Sequence, residues 1–115
     1  MNEQKVTGTN IESLMDMLAS KNGMTRRKAR EELVALGKPA VSFLTQALTN
    51  SRFSQVRWEA AKALGGINDT GSIPSLVNAL EDSDSDVAWL AAEALITYKK
   101  SRQAGMSTGV DLRQI

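Results

Sequence analysis

Any chemistry in this chain must do without thiol and imidazole, because its 115 residues include no cysteine and no histidine. Disulfides and thiolate chemistry are excluded, and with histidine go the commonest general base and the commonest metal ligand. Carboxylates pair at Glu31-Glu32 and alternate through Asp82, Asp84 and Asp86. Alternate carboxylates resemble a calcium loop, but Asp82 to Asp86 lacks the loop's glycine and its distal glutamate. Both clusters sit in charged helix or loop settings and read as solvated side chains. No glycine loop that would cradle a phosphate and no nucleophile elbow is present. A protein without catalytic residues, cofactor or metal is expected.

The basic cluster Arg26, Arg27, Lys28 and Arg30 could contact phosphates. Nucleic-acid binding usually brings more excess charge, and aromatic interleaving on single strands. Here the isoelectric point is about 8.0 and aromatics make up 4% of residues, so a nucleic-acid partner is not favoured. Net charge is +1 but uneven. Residues 21–62 hold nine basic and three acidic side chains, a balance of +6, and residues 63–98 hold six acidic and no basic ones, a balance of −6. In a linear stack one end would be basic and the other acidic, and head-to-tail contacts would follow.

The elements that must position these groups are helices. Apolar residues make up 42% of the chain and prolines number two, while Ala, Leu, Glu, Lys, Arg and Gln abound. β-Branched runs between turn residues are missing. The first residues, MNEQKVTGTN, lack the apolar core of a signal peptide, and no apolar run approaches the roughly 20 residues that span a bilayer. A soluble, cytoplasmic, all-α domain is expected, with no membrane partner.

Met1 to Thr9 reads as a flexible N-terminal tail. Asn10 offers a helix cap before Ile11, Leu14, Met15 and Leu18, and Lys21-Asn22-Gly23 stops that helix. Thr25 can cap the next helix, whose apolar side is Ala29, Leu33, Val34 and Leu36 and which Gly37 ends. Pro39 suits the first turn of a third helix, with Val41, Leu44, Ala47 and Leu48 inward. After a loop at 50–54 comes Val56 to Ile67, closed by Gly65-Gly66. Pro74 opens a helix to about Glu81, with Ile73, Leu76, Val77 and Leu80 buried. The acidic loop then caps a last helix ending near Tyr98. Residues 10–98 form the folded domain, and 99–115 read as a mostly irregular C-terminal tail.

One segment organises the rest. Val56, Trp58, Ala60, Ala61, Ala63 and Leu64 recur thirty-one residues later as Val87, Trp89, Ala91, Ala92, Ala94 and Leu95. Arg26, Ala29 and Leu33 precede Arg57, Ala60 and Leu64 by the same interval, and Val41, Leu44 and Leu48 precede Ile73, Leu76 and Leu80 by thirty-two. Such a period marks stacked repeats, each unable to bury its apolar side alone. Small Ala60, Ala61 and Ala63 let helices approach closely, and Leu64 fills the groove.

The motif Val56-Arg57-x-x-Ala60-Ala61-x-Ala63-Leu64-Gly65, followed by Ile73-Pro74-x-Leu76 and the acidic turn, resembles HEAT-like repeats of the phycobilisome-lyase type, within the armadillo and HEAT superfamily. The resemblance covers roughly residues 25–98. It implies a short right-handed α-α superhelix, about two and a half helical repeats plus an N-terminal helix, acting as a protein-interaction scaffold. A bilin-lyase-like complex is an alternative setting that the family name implies. In such families the Arg57 position pairs with an Asp of the neighbouring turn. Ala88 stands there in the last unit, so that ladder should break at the C-terminal repeat.

The resemblance also implies that second helices line the concave face, which makes Ser42, Thr45, Gln46, Thr49 and Asn78 candidate partner-binding residues. Trp58 and Trp89, at one repeat position, should share a structural role, although an exposed tryptophan would favour binding. Leu90 replaces Glu59 and Ala88 replaces Arg57, so the last helix is apolar over most of its circumference and demands cover. Trp89 and Leu90 therefore join the candidates. The cover would be Val110, Leu112 and Ile115 of the tail, a protein partner, or self-association through this helix.

Overall fold

The computed structural model describes residues 8–110, with side chains over 10–98. It holds six α-helices and, among the described residues, no strand: α1 (Gly8–Met17), α2 (Gly23–Leu36), α3 (Lys38–Asn50), α4 (Ser54–Ile67), α5 (Ile73–Ala79) and α6 (Ser85–Val110), with a 3₁₀ turn at Thr70–Ser72 before α5.

Local signals set most boundaries, though not always the residues expected. α1 already includes Asn10, which therefore does not cap it. The helix ends at Met17, where the chain tightens through bonds from Leu18, Ala19 and Ser20 N–H to the carbonyls three residues back. Asn22, expected to stop α1, instead caps α2: its Oδ1 accepts from Met24 N at 2.9 Å and Thr25 N at 3.2 Å. Thr25 lies inside the helix. Gly37, at φ +71°, ends α2 and leads directly into α3, donating its N–H to the Leu33 and Val34 carbonyls.

Gly65-Gly66 does not close α4. The helix runs through both to Ile67, and Asn68 in the left-handed conformation ends it. The glycines serve packing instead. A Cβ on Gly65 would lie 3.2 Å from Ala94 Cβ, and one on Gly66 would lie 3.3 Å from the Val34 methyls. α4 is thus the helix that two neighbours approach most closely, α6 on one side and α2 on the other.

α2, α4 and α6 form one layer and α1, α3 and α5 a second, each helix packing on the next in its own layer. Between layers the closely packed pairs are α1 with α2, α3 with α4, and α5 with α6. The final helix packs on both α4 and α5. Leu18, Leu33, Leu44, Leu64 and Val87 fill the space between layers, with Ala29, Ala40, Ala60, Ala61, Ala63 and Ala91 at the close approaches. The result measures 53 × 40 × 22 Å, a slab two helices thick.

Two expectations fail at the C-terminal end. Val77 and Leu80 are 50% and 43% exposed, because α5 stops at Ala79 and no further second-layer helix among the described residues covers that side. α6 does not end near Tyr98 but continues to Val110, so residues 99–110 are helical rather than irregular. The reason is local: Lys99, Lys100, Arg102, Gln103, Ala104 and Met106 are good helix formers, and no proline interrupts them. Residues 1–7 and 111–115, including Leu112 and Ile115, lie outside the described residues.

Candidate interaction surfaces

The polar groups with chemical potential are drawn into structure. Glu59 is 3% exposed, between α2 and α4. Its carboxylate accepts from Arg30 Nη1 at 2.7 Å, Arg26 Nε at 3.3 Å and Gln55 Nε2 at 3.5 Å. Composition did not single it out, yet a signal existed. Position 59 in one copy is position 90 in the next, and a site that takes leucine in one repeat faces inward in both.

Arg57 makes the rung that its motif implies. Its Nε and Nη2 reach both oxygens of Asp82 at 2.8 and 3.1 Å, and Nη1 donates to Ser51 O at 2.9 Å. One repeat earlier the residue at the Asp82 position is Ser51, so Arg26 turns to Glu59 while keeping the equivalent bond to Ser20 O at 2.8 Å. One repeat later Ala88 has no guanidinium, and the ladder ends there, as expected. Burial works to raise the Asp82 pKa, but the Arg57 hydrogen bond, the Asp84 N–H and the guanidinium charge together hold it below the ordinary value. Asp69 is also lowered, chiefly by the hydrogen bond from Gly71 N at 2.7 Å.

The acidic loop is a set of caps. Asp84 Oδ1 accepts from Asp86 N at 2.9 Å and Val87 N at 3.2 Å, fixing the start of α6. No group of three or more potential metal ligands occurs among the described residues. Glu31 pairs with Arg27 at 3.0 Å along α2. Of the basic cluster, Arg26, Arg27 and Arg30 are thus matched by carboxylates of the same chain.

The expected partner-binding residues are dispersed. Ser42, Gln46 and Thr49 are exposed on α3, and half-buried Thr45 donates its hydroxyl to Ser42 O at 3.0 Å. Gln46 lines an open groove between α1 and α3, together with Glu12, Met15, Asp16 and Phe43. Asn78 is exposed on α5. Leu90 is in the core, packed toward Ala61 and Gly65 of α4, and is not a surface residue. The two tryptophans part company. Trp58 is half-buried beneath Arg30 and Lys62, whose charged groups sit 5.7 and 6.0 Å from its ring. Trp89 is 67% exposed, because Ala61 and Glu93 hold the corresponding positions and neither cation is present.

The residues that were not anticipated lie on the open end. On α4, the positions Ala61 and Gly65 line α6, and Leu64 is 1% exposed. Their counterparts on α6 are Ala92, Ile96 and Leu95. No helix after α6 is described, and Ile96 is 55% exposed. Val77 and Leu80 on α5 are exposed as well, so both of the last two helices present apolar side chains to solvent.

A stack of helical hairpins, each covering the apolar side of the last, defines the class: a short α-solenoid. The family model for HEAT repeats matches residues 41–104, more than half of the chain. The chain belongs to the HEAT repeat family. A comparison with curated proteins finds no match. No helix among the described residues is long and apolar enough to cross a membrane.

Proposed function

We propose that this protein is a non-enzymatic interaction module that binds a protein partner on the apolar end face of α5 and α6. The observation that carries this reading is the exposure of Leu80, whose repeat counterpart Leu48 is buried, beside the exposed apolar side chains of Val77 and Ile96. Leu48 is 2% exposed and Leu80 43%, although both are leucines at one repeat position. Apolar faces of this kind mark interaction sites. HEAT repeats as a family provide such scaffolds, which agrees with the reading.

A nucleic-acid role fits less well, since Arg26, Arg27, Arg30 and Arg57 all sit on carboxylates of the chain itself. Ile96→Asp and Val77→Asp test the proposal. Both positions are exposed, so thermal stability should stay within about 0.5 kcal/mol of the parent. Proteins that co-purify with the parent should be lost. Co-purification that survives both substitutions would overturn this site.

A further inference from the structure

We infer that the exposed ring of Trp89 is a docking point for a basic side chain, arginine or lysine, of a partner protein. The inference goes beyond the apolar end face and stands without it, since it uses none of Val77, Leu80 or Ile96. The molecule carries its own pattern for the contact one repeat earlier.

Trp58 shows the contact completed. Its half-buried ring lies under two cations of the same chain: Arg30 from α2, 5.7 Å from the ring centroid, and Lys62, one turn further along α4, at 6.0 Å. Trp89 holds the same repeat position on α6, and there both cations are gone. Ala61 stands in place of Arg30 and Glu93 in place of Lys62. The ring is left 67% exposed.

The replacements also reverse the charge around the ring. Asp86 lies three residues before Trp89 and Glu93 four after it, spacings that make neighbours on a helix surface, with Cβ atoms about 5–6 Å apart. Beside Trp58 the same two positions hold neutral Gln55 and cationic Lys62. Asp86 and Glu93 are both exposed, and neither joins an ion pair among the described residues. The basic groups that share grooves with them are already engaged. Lys62 lines the α4–α6 groove with Glu93 but sits over Trp58. Arg26, Arg27 and Arg30, in the groove with Asp86, are held by Glu59 and Glu31.

An aromatic ring flanked by two unmatched carboxylates selects a cation. The ring face attracts positive charge through its quadrupole, and Asp86 and Glu93 supply the counter-charge. An anionic partner would be repelled by both carboxylates, and a wholly apolar one would strip water from them without return. Arginine and lysine also bring hydrocarbon stems that cover an indole while the charged head stays at the carboxylates. Tryptophan is among the side chains that concentrate binding energy at protein contacts.

NMR of the two indole N–H groups tests the inference, because Trp58 serves as a control inside the same molecule. The probe is a capped tetra-arginine peptide, with a capped tetra-glutamate peptide for comparison. The arginine peptide should move the Trp89 signal saturably and leave that of Trp58 in place, and the glutamate peptide should move neither. Glu93→Gln should raise the dissociation constant about threefold, the scale of an exposed ion pair. Glu93→Lys, which restores the cation that Trp58 has at the same spacing, should abolish the shift. The position is exposed, so helical circular dichroism should not change in either variant. Equal shifts of both indoles would reduce the effect to unspecific attraction and overturn the inference, as would no shift at all or a Glu93→Lys chain that binds like the parent. A Trp89 signal that moves with protein concentration alone gives the ring to a second copy of the chain and overturns the separate partner.

Discussion

α4 has two neighbours in its layer and holds them by different means. Toward α2 an ionic cluster is added to the Val34–Gly66 packing: Arg26 and Arg30 converge on Glu59, and Arg30 also lies over Trp58. Toward α6 it is hydrocarbon: Leu90 and Ala94 pack on Ala61 and Gly65. The backbone pattern is the same, and the register is the same thirty-one residues. A repeat position thus dictates that a side chain is enclosed, not that it is apolar. Whether the enclosed group is a carboxylate or a leucine depends on what the preceding helix offers, Arg30 in one case and Ala61 in the other.

The sharpest way to break this contrast is to exchange the two centres. Leu90→Glu places a carboxylate against Ala61 with no arginine at the Arg30 position. Chemical denaturation should show a loss of roughly 3–5 kcal/mol, the cost of an uncompensated buried charge. Next comes Arg57→Ala, which strips Asp82 of its bidentate partner and leaves the Ser51 carbonyl without its donor. About 2–3 kcal/mol should be lost at neutral pH.

That rung also sets a pH dependence. The folded Asp82 pKa lies below its unfolded value of about 3.9, so its contribution is fully present above that pH and disappears as pH falls through the folded value. Asp82→Asn should therefore flatten the acid side of the stability curve below about pH 4, and an unchanged slope would deny the rung its role. The smallest effect belongs to replacing the whole cluster at once, with Arg26→Met, Arg30→Met and Glu59→Leu in one chain. Chemical denaturation should show a cost of about 1 kcal/mol or less, since well-packed hydrophobic replacements of an entire buried ion cluster are close to neutral, whereas Glu59→Leu alone would leave two guanidiniums, 22% and 16% exposed, without their carboxylate and cost more.

The repeat was legible in sequence because Ala60, Ala61, Ala63 and Leu64 return as Ala91, Ala92, Ala94 and Leu95, and only stacking rewards such a return. The Arg57 rung was legible for the same reason. Helix ends were read less well, since Asn22 could stop one helix or start the next and only the bonds to Met24 and Thr25 decide. Gly65 and Gly66 have the composition of a helix end, yet their use is close approach, which depends on neighbours far along the chain.

The candidate surface was half legible. An over-apolar last helix announced a face in need of cover. Residue type alone could not say that Leu90 turns toward α4 while Ile96 turns away. Nor could it show that Val77 and Leu80, placed like core residues, are exposed, with no helix after α6 among the described residues to cover them.

The slab is 22 Å thick, so every enclosed leucine lies within about 11 Å of bulk water. Such a body has no deep interior to enlarge. In a sphere, outer area lags behind mass as the chain grows, whereas here each added hairpin extends the length at constant thickness. Area open to recognition then rises in direct proportion to residues spent, a geometry suited to evolving new contacts by duplication without rebuilding what is already folded.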